Sequence, residues 1–198
     1  MKRACILLTM AVLGACSSGT DSTPITVIIT GDSTVALNGT LQLDATAWSG
    51  NTPFMTGMTF VWFSSDTTKV SVSQSGLVTG LQLGTAEITA VAVPAVSANT
   101  VTSAPYPVRS RIGRIVFKPF DVAFAALNDS MIVTADARDA LNVSIPGIVF
   151  TWQSRNPNIV SIADSGTHAV IAHAVASGTT VIVATTDGVS DSVTATVP

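Results

Sequence analysis

Charged residues make up only 11% of the 198-residue chain, and Glu87 is its single glutamate. A chain so poor in Glu, Lys and Arg does not build a helical bundle or a coiled coil. Nine basic residues stand against twelve acidic ones, a formal charge of −3. Phosphate binding needs clustered surplus Lys and Arg, so this balance excludes nucleic acid as a partner. Cysteine is nearly absent: Cys5 and Cys16 are the two in the chain. The apolar run from Ile6 to Leu13 is shorter than the roughly 20 residues a membrane-spanning helix needs. What is abundant is Val, Thr, Ala and Ser, about half of the residues, within a hydrophobic fraction of 47%. That fraction is too high for a disordered chain.

The first residues read as an address. Lys2 and Arg3 precede the apolar run, which ends in Leu13-Gly14-Ala15-Cys16. This arrangement resembles the bacterial lipobox, which implies that residues 1–15 are a signal peptide and that Cys16 becomes a diacylated N-terminus. The alternative is an ordinary secretory signal with an incidental cysteine. Acyl chains anchor a protein through burial of about 0.8 kcal/mol per methylene. Cleavage would leave seven basic against twelve acidic side chains and no cysteine for a disulfide, so the core alone must hold the fold. Ser17 follows where inner-membrane lipoproteins often carry Asp, which by resemblance favours the outer membrane. Residues 16–24 have nothing to bury and read as a flexible tether.

Beyond the tether the chain repeats itself. The stretch from Asn38 to Ala47 matches that from Asn128 to Ala137, 90 residues on. Phe60-Val61-Trp62-Phe63-Ser64 matches Phe150-Thr151-Trp152-Gln153-Ser154, and Val70-Ser71-Val72 matches Val160-Ser161-Ile162. Gly84 to Ala90 then matches Gly178 to Ala184 at an offset of 94, which places a four-residue insertion near Thr167 to His173. Colinear matches of this kind mark two copies of one unit. Leu41, Leu43, Ala45 and Ala47 alternate with polar residues, as do Ala86, Ile88 and Ala90, the period of a half-buried strand. Short strands separated by Gly, Asn and Asp turns, with no helical period, predict an all-β chain of two tandem sandwiches at residues 25–108 and 109–198.

The Asn38-Gly39-Thr40 strand start, Trp62-Phe63-Ser64-Ser65-Asp66, and Gly76 to Gly80 followed by Gly84 to Ala90 together resemble the bacterial immunoglobulin-like group 2 domain. The second unit resembles it through Trp152 to Pro157 and Gly178 to Ala184, and departs from it at Thr167 to His173. The resemblance implies immunoglobulin-like sandwiches of the kind found in intimin- and invasin-like surface proteins, with no catalytic residues to carry over.

Candidate chemistry is sparse. His168 and His173 are the only histidines, and an odd spacing in a strand puts them on opposite faces. There is no G-x-S-x-G elbow, and no D-x-[DN]-x-[DN] run for calcium; Asn128, Asp129, Asp187 and Asp191 read as turn residues or as loose cation ligands. The expectation is a protein without enzymatic activity, cofactor or metal.

Two residue sets are candidates for partner binding. Trp48, Phe54, Met55, Val61 and Phe63 give the first unit an apolar, aromatic character that Thr151 and Gln153 do not give the second, as an exposed interface would. The other reading buries Trp48 and Phe54 under a loop. Arg109, Arg111, Arg114 and Lys118 concentrate basic charge between the units, either as a patch for an anionic glycan, lipopolysaccharide or acidic protein, or as a solvated linker with charge-guarded edge strands. The whole predicts a lipid-anchored cell-surface adhesion or interaction module, at the outer membrane or cell surface, that meets a surface protein or glycan. A glycan-binding accessory lipoprotein and a passive envelope spacer are the alternatives.

Overall fold

The computed structural model describes residues 24–53, 57–95, 99–164 and 166–198, without the side chain of Asp164. The first unit contributes β1 (Ile25–Thr30), β2 (Thr34–Ala36), β3 (Thr40–Gln42), β4 (Asp44–Ser49), β5 (Thr52–Pro53), β6 (Met58–Ser64), β7 (Val70–Val72), β8 (Leu77–Gly80), β9 (Gly84–Pro94), β10 (Val101–Thr102) and β11 (Tyr106–Arg111). The second contributes β12 (Arg114–Lys118), β13 (Val122–Ala123), β14 (Ser130–Arg138), β15 (Thr151–Ser154), β16 (Val160–Asp164), β17 (Ala169–Ala174), β18 (Gly178–Thr186) and β19 (Val189–Val197). No helix occurs among the described residues.

Each unit is a pair of sheets closed over a core. In the second unit the sheets run β12-β14-β17-β16 and β13-β19-β18-β15. In the first, β1-β4-β5 and β3-β8-β7 form one layer, because β3 and β4 are a single strand interrupted at the buried Leu43. The other layer holds β2, β11, β9 and β6, with β10 beside β9. Both units finish with the same uncommon feature, a parallel pair: β2 with β11, and β13 with β19. Asn38 and Asn128, 90 residues apart, both take positive φ, at 58° and 67°. The sequence repeat is therefore a repeat of topology and of backbone conformation.

The period-two pattern decides what is inside. In β9, Ala86, Ile88, Ala90 and Ala92 are buried while Glu87, Thr89, Val91 and Val93 point outward. One core gathers around Leu43, Trp62, Val70, Val78, Ile88 and Val108. A separate one gathers around Ile112, Phe117, Val133, Val170, Ile182 and Val193. The expected division after residue 108 falls inside β11, because Arg109, Ser110 and Arg111 still pair with Thr34, Val35 and Ala36 of the first unit. Ile112, 1% exposed, is the first residue to enter the second core.

The insertion is an extended hairpin. Val70 pairs with Gly80 and Val160 with Ala174, so the extra four residues all lie within the β16–β17 hairpin. They add two residue pairs, Ala163 with Ile171 and Asp164 with Val170. The longer tip bridges toward both sheets: Phe150 N–H donates to the Thr167 carbonyl and Ala135 N–H to that of His168, each at 2.9 Å. The tryptophans diverge with it. Trp62 is 5% exposed, whereas Trp152 is only partly buried and stands edge-on to Phe117 at 6.0 Å.

Gly76 shows how tightly the first unit closes. Its φ is +80°, and a Cβ there would lie 2.3 Å from the Leu43 carbonyl oxygen and 3.0 Å from the Trp62 ring. Gly147 has a similar φ, +77°, but opens onto empty space. Gly147→Ala should cost only the left-handed backbone penalty of about 1 kcal/mol. Gly76→Ala should cost at least about twice that, since the strain adds to a clash with backbone. Urea denaturation of both variants checks the difference, and equal losses would contradict it.

Candidate functional site

Cys16 and its signal segment, and the loop residues Phe54 and Met55, lie outside the described residues. The remaining aromatic candidates do not form one patch. Ala45 and Ala47 of β4 point into the core, so Trp48 faces away from it, half-buried beside Thr26 and Pro53. Val61 and Phe63 alternate with the buried Trp62 on β6, in the opposite layer. The two sets therefore look out from opposite sides of the sandwich. Alternation tells which residues leave the core, but not which layer they leave from.

On the β6 side the patch is wider than its two predicted members. Phe63 stands opposite Thr89, Val61 opposite Val91, and Thr59 opposite Val93. Phe63 is 53% exposed; Val61, Val91 and Val93 are half-buried in the same outward rows. Val91 and Val93 were readable from the alternation of β9, once that strand was extended beyond Ala90. The equivalent face of the second unit offers Thr151 opposite Thr185 and Gln153 opposite Val183.

The basic residues fall into two groups. Arg109 and Arg111 belong to β11 and are not a solvated linker, because the strand continues to pair through them. Arg109 is ion-paired with Asp187 at the turn between β18 and β19, which joins the two units. Arg114 and Lys118 are exposed on the outward face of β12. Arg138 stands directly opposite Arg114 and is held by Asp136 at 3.0 Å.

Between the units lies a built joint. Asn38 Nδ2 donates to Asp139 Oδ2 at 2.7 Å, and Ala140 N–H donates to the Leu37 carbonyl at 2.9 Å. The other Asp139 oxygen accepts the N–H groups of Leu141 and Val143, at 2.9 and 2.8 Å. Leu83 of the first unit packs against the second core. Asp139 is only 4% exposed. The Asn38 amide foremost, then the Val143 and Leu141 N–H groups, hold its carboxyl below the usual range, against the opposing pull of burial.

The histidines are placed apart. His173 Nδ1 lies 2.7 Å from Ser130 Oγ on the outward face of β17. His168 sits at the hairpin tip, its Nδ1 3.3 Å from Thr167 Oγ1. Asp129 closes its own turn by accepting the Ala126 N–H at 2.8 Å. Among the described residues no three His, Cys, Asp or Glu side chains are grouped as a metal would require.

Two-layer sandwiches with this strand order define an immunoglobulin-like class. Residues 23–103, within the first unit and its lead-in, match the family model of the bacterial Ig-like domain (group 2). Domains 4 and 5 of the S-layer protein SbsC are similar at 19% identity and TM-score 0.39, over 86% of this chain and 96% of that one. A C-terminal fragment of intimin, in complex with the intimin-binding domain of the translocated intimin receptor, is similar at 18% identity and TM-score 0.48, over 88% and 64%. The Yersinia pseudotuberculosis adhesin InvE is similar at 16% identity and TM-score 0.37, over 87% and 58%. No curated protein sequence matches the chain.

The joint carries a pH signature. A carboxyl whose pKa is lowered by folding stabilises the fold above its ordinary value of 3.8. That contribution is lost as the pH falls through the lowered folded value. Asn38→Ala removes the largest cause of the lowering, so the Asp139 pKa should rise toward the ordinary value and acid unfolding should begin at higher pH. Carboxyl NMR titration reads the first effect directly, and an unchanged Asp139 pKa would contradict the assignment.

Proposed function

We propose that the chain is a lipid-anchored protein of the cell envelope, held through Cys16, that presents its Ig-like units as an adhesion or interaction module. The observation that carries the binding role is the apolar outward face of β6 and β9. Phe63 stands exposed there beside Val61, Val91 and Val93, where the second unit has Thr151, Gln153 and Thr185 with only the buried Val183 apolar. A repeated fold needs the same residues inside but not outside, so an apolar face on one copy alone is free for a partner. Aromatic side chains on such faces are the usual anchors of binding energy. The mechanism is recognition without catalysis.

A spacer role is the second reading, favoured by the joint. Asn38, Asp139, Arg109 and Asp187 fix one unit on the other, which suits a chain that holds something at a distance from the membrane. Trp48 beside Pro53 is the remaining support for glycan stacking on the first unit.

Capture of surface proteins and glycans by the full chain should be lost with Phe63→Gln and kept with Gln153→Ala. Loss with Trp48→Ala instead would move the site to the opposite face, and capture unaffected by any of the three would contradict a binding role for these faces. Incorporation of a palmitate analogue should require Cys16, and labelling that persists in Cys16→Ser would remove the anchor.

A further inference from the structure

We infer that the second unit carries a site for an acidic sugar, in the cleft between β12, β14 and the tip of the β16–β17 hairpin. The inference goes beyond the interaction face of the first unit and stands without it. The cleft has a volume of ≈ 440 Å³ and its lining includes Lys118, Asp136, Ser144 and His168. That volume lies in the range of about 300–1,000 Å³ typical of small-molecule sites. The lining combines the apolar side chains of Ile145, Ile148 and Phe150 with the hydroxyl-bearing Thr134, Ser144 and Thr167.

The electrostatics select the ligand. Asp136 is the carboxylate of the lining, and it is already committed to Arg138 at 3.0 Å and to the Ser144 hydroxyl at 2.5 Å. Lys118 is exposed and has no carboxylate within ion-pair distance among the described residues. Among the described residues the cleft therefore combines one uncompensated cation with hydroxyl-bearing and apolar side chains. A pyranose bearing a carboxylate matches all three, with its charge on Lys118, its hydroxyls on the polar lining and its C–H face on the apolar side chains.

The first unit serves as an internal control. Lys118 pairs with Thr134 on adjacent strands, and the corresponding pair in the first unit is Thr30 with Asp44. The same fold thus forms with Thr30 in place of the cation and Asp44 in place of Thr134, so neither packing nor topology requires Lys118. A charge serving only to guard an edge strand would account for Lys118, but not for the lengthened hairpin whose tip, Thr167 and His168, walls the cleft. That lengthening is absent from the first unit.

The test is titration of the full chain with trigalacturonate, with neutral maltotriose and citrate as comparisons, followed by calorimetry and by amide shifts. Trigalacturonate should bind, shift the amides of residues 144–148 and 167–168, and weaken about tenfold in Lys118→Thr, the loss of one charge-assisted hydrogen bond. Thr is the residue of the first unit at this position, so the variant keeps a side chain the fold accepts. Phe63→Gln should leave the titration unchanged, which separates this site from the first-unit face. Equal binding by wild type and Lys118→Thr would overturn the site. Maltotriose or citrate binding as tightly as trigalacturonate would overturn the acidic-sugar assignment.

Discussion

The whole molecule depends on adjacent strand residues pointing to opposite sides of a sheet. No cysteine follows Cys16, so no disulfide ties the sheets together, and the burial of Val, Ala, Ile, Phe and Trp must do so. In β9 and β14 the inward residues include Ala86, Ala90, Ala92, Ala135 and Ala137. Such small side chains let the two layers approach closely over the larger residues of the facing strands. Outward positions are released from that constraint. Function can be written on them without touching the core.

The two units use this freedom differently. The first turns Val61, Phe63, Val91 and Val93 outward from one layer. The second places Thr151, Gln153, Thr185 and Val183 on that face and instead builds a cleft beside Lys118 by lengthening one hairpin. One of the four cations expected to face a partner is spent on the joint, beside an aspartate of the second unit. Arg109 meets Asp187, and Asp139 meets Asn38. A basic stretch that looks like a patch in one dimension is, in three, partly the adhesive between two domains.

How far this was legible from sequence varies with the range of the interaction. Strand identity, the inward set and the duplication were readable, because alternation and a 90-residue offset are local or colinear signals. The relation of Trp48 to Phe63 was not, since β4 and β6 join opposite layers and nothing in either strand records it. The same holds for Arg111, whose pairing with Ala36 spans 75 residues, and for Asp139, whose partner Asn38 lies 101 residues away. The insertion was located near Thr167, but its form as two added strand pairs, and the cleft wall it raises, follow from pairing register alone.

The claim that parity separates core from face is tested most directly at two neighbours on β6. Trp62→Ala and Phe63→Ala, measured by equilibrium denaturation of the full chain, remove aromatic rings from consecutive residues of one strand. Trp62, 5% exposed, should cost about 3–5 kcal/mol. Phe63, 53% exposed, should cost less than about 1 kcal/mol. Comparable losses at both positions would mean that Phe63 belongs to the core, and would contradict the account.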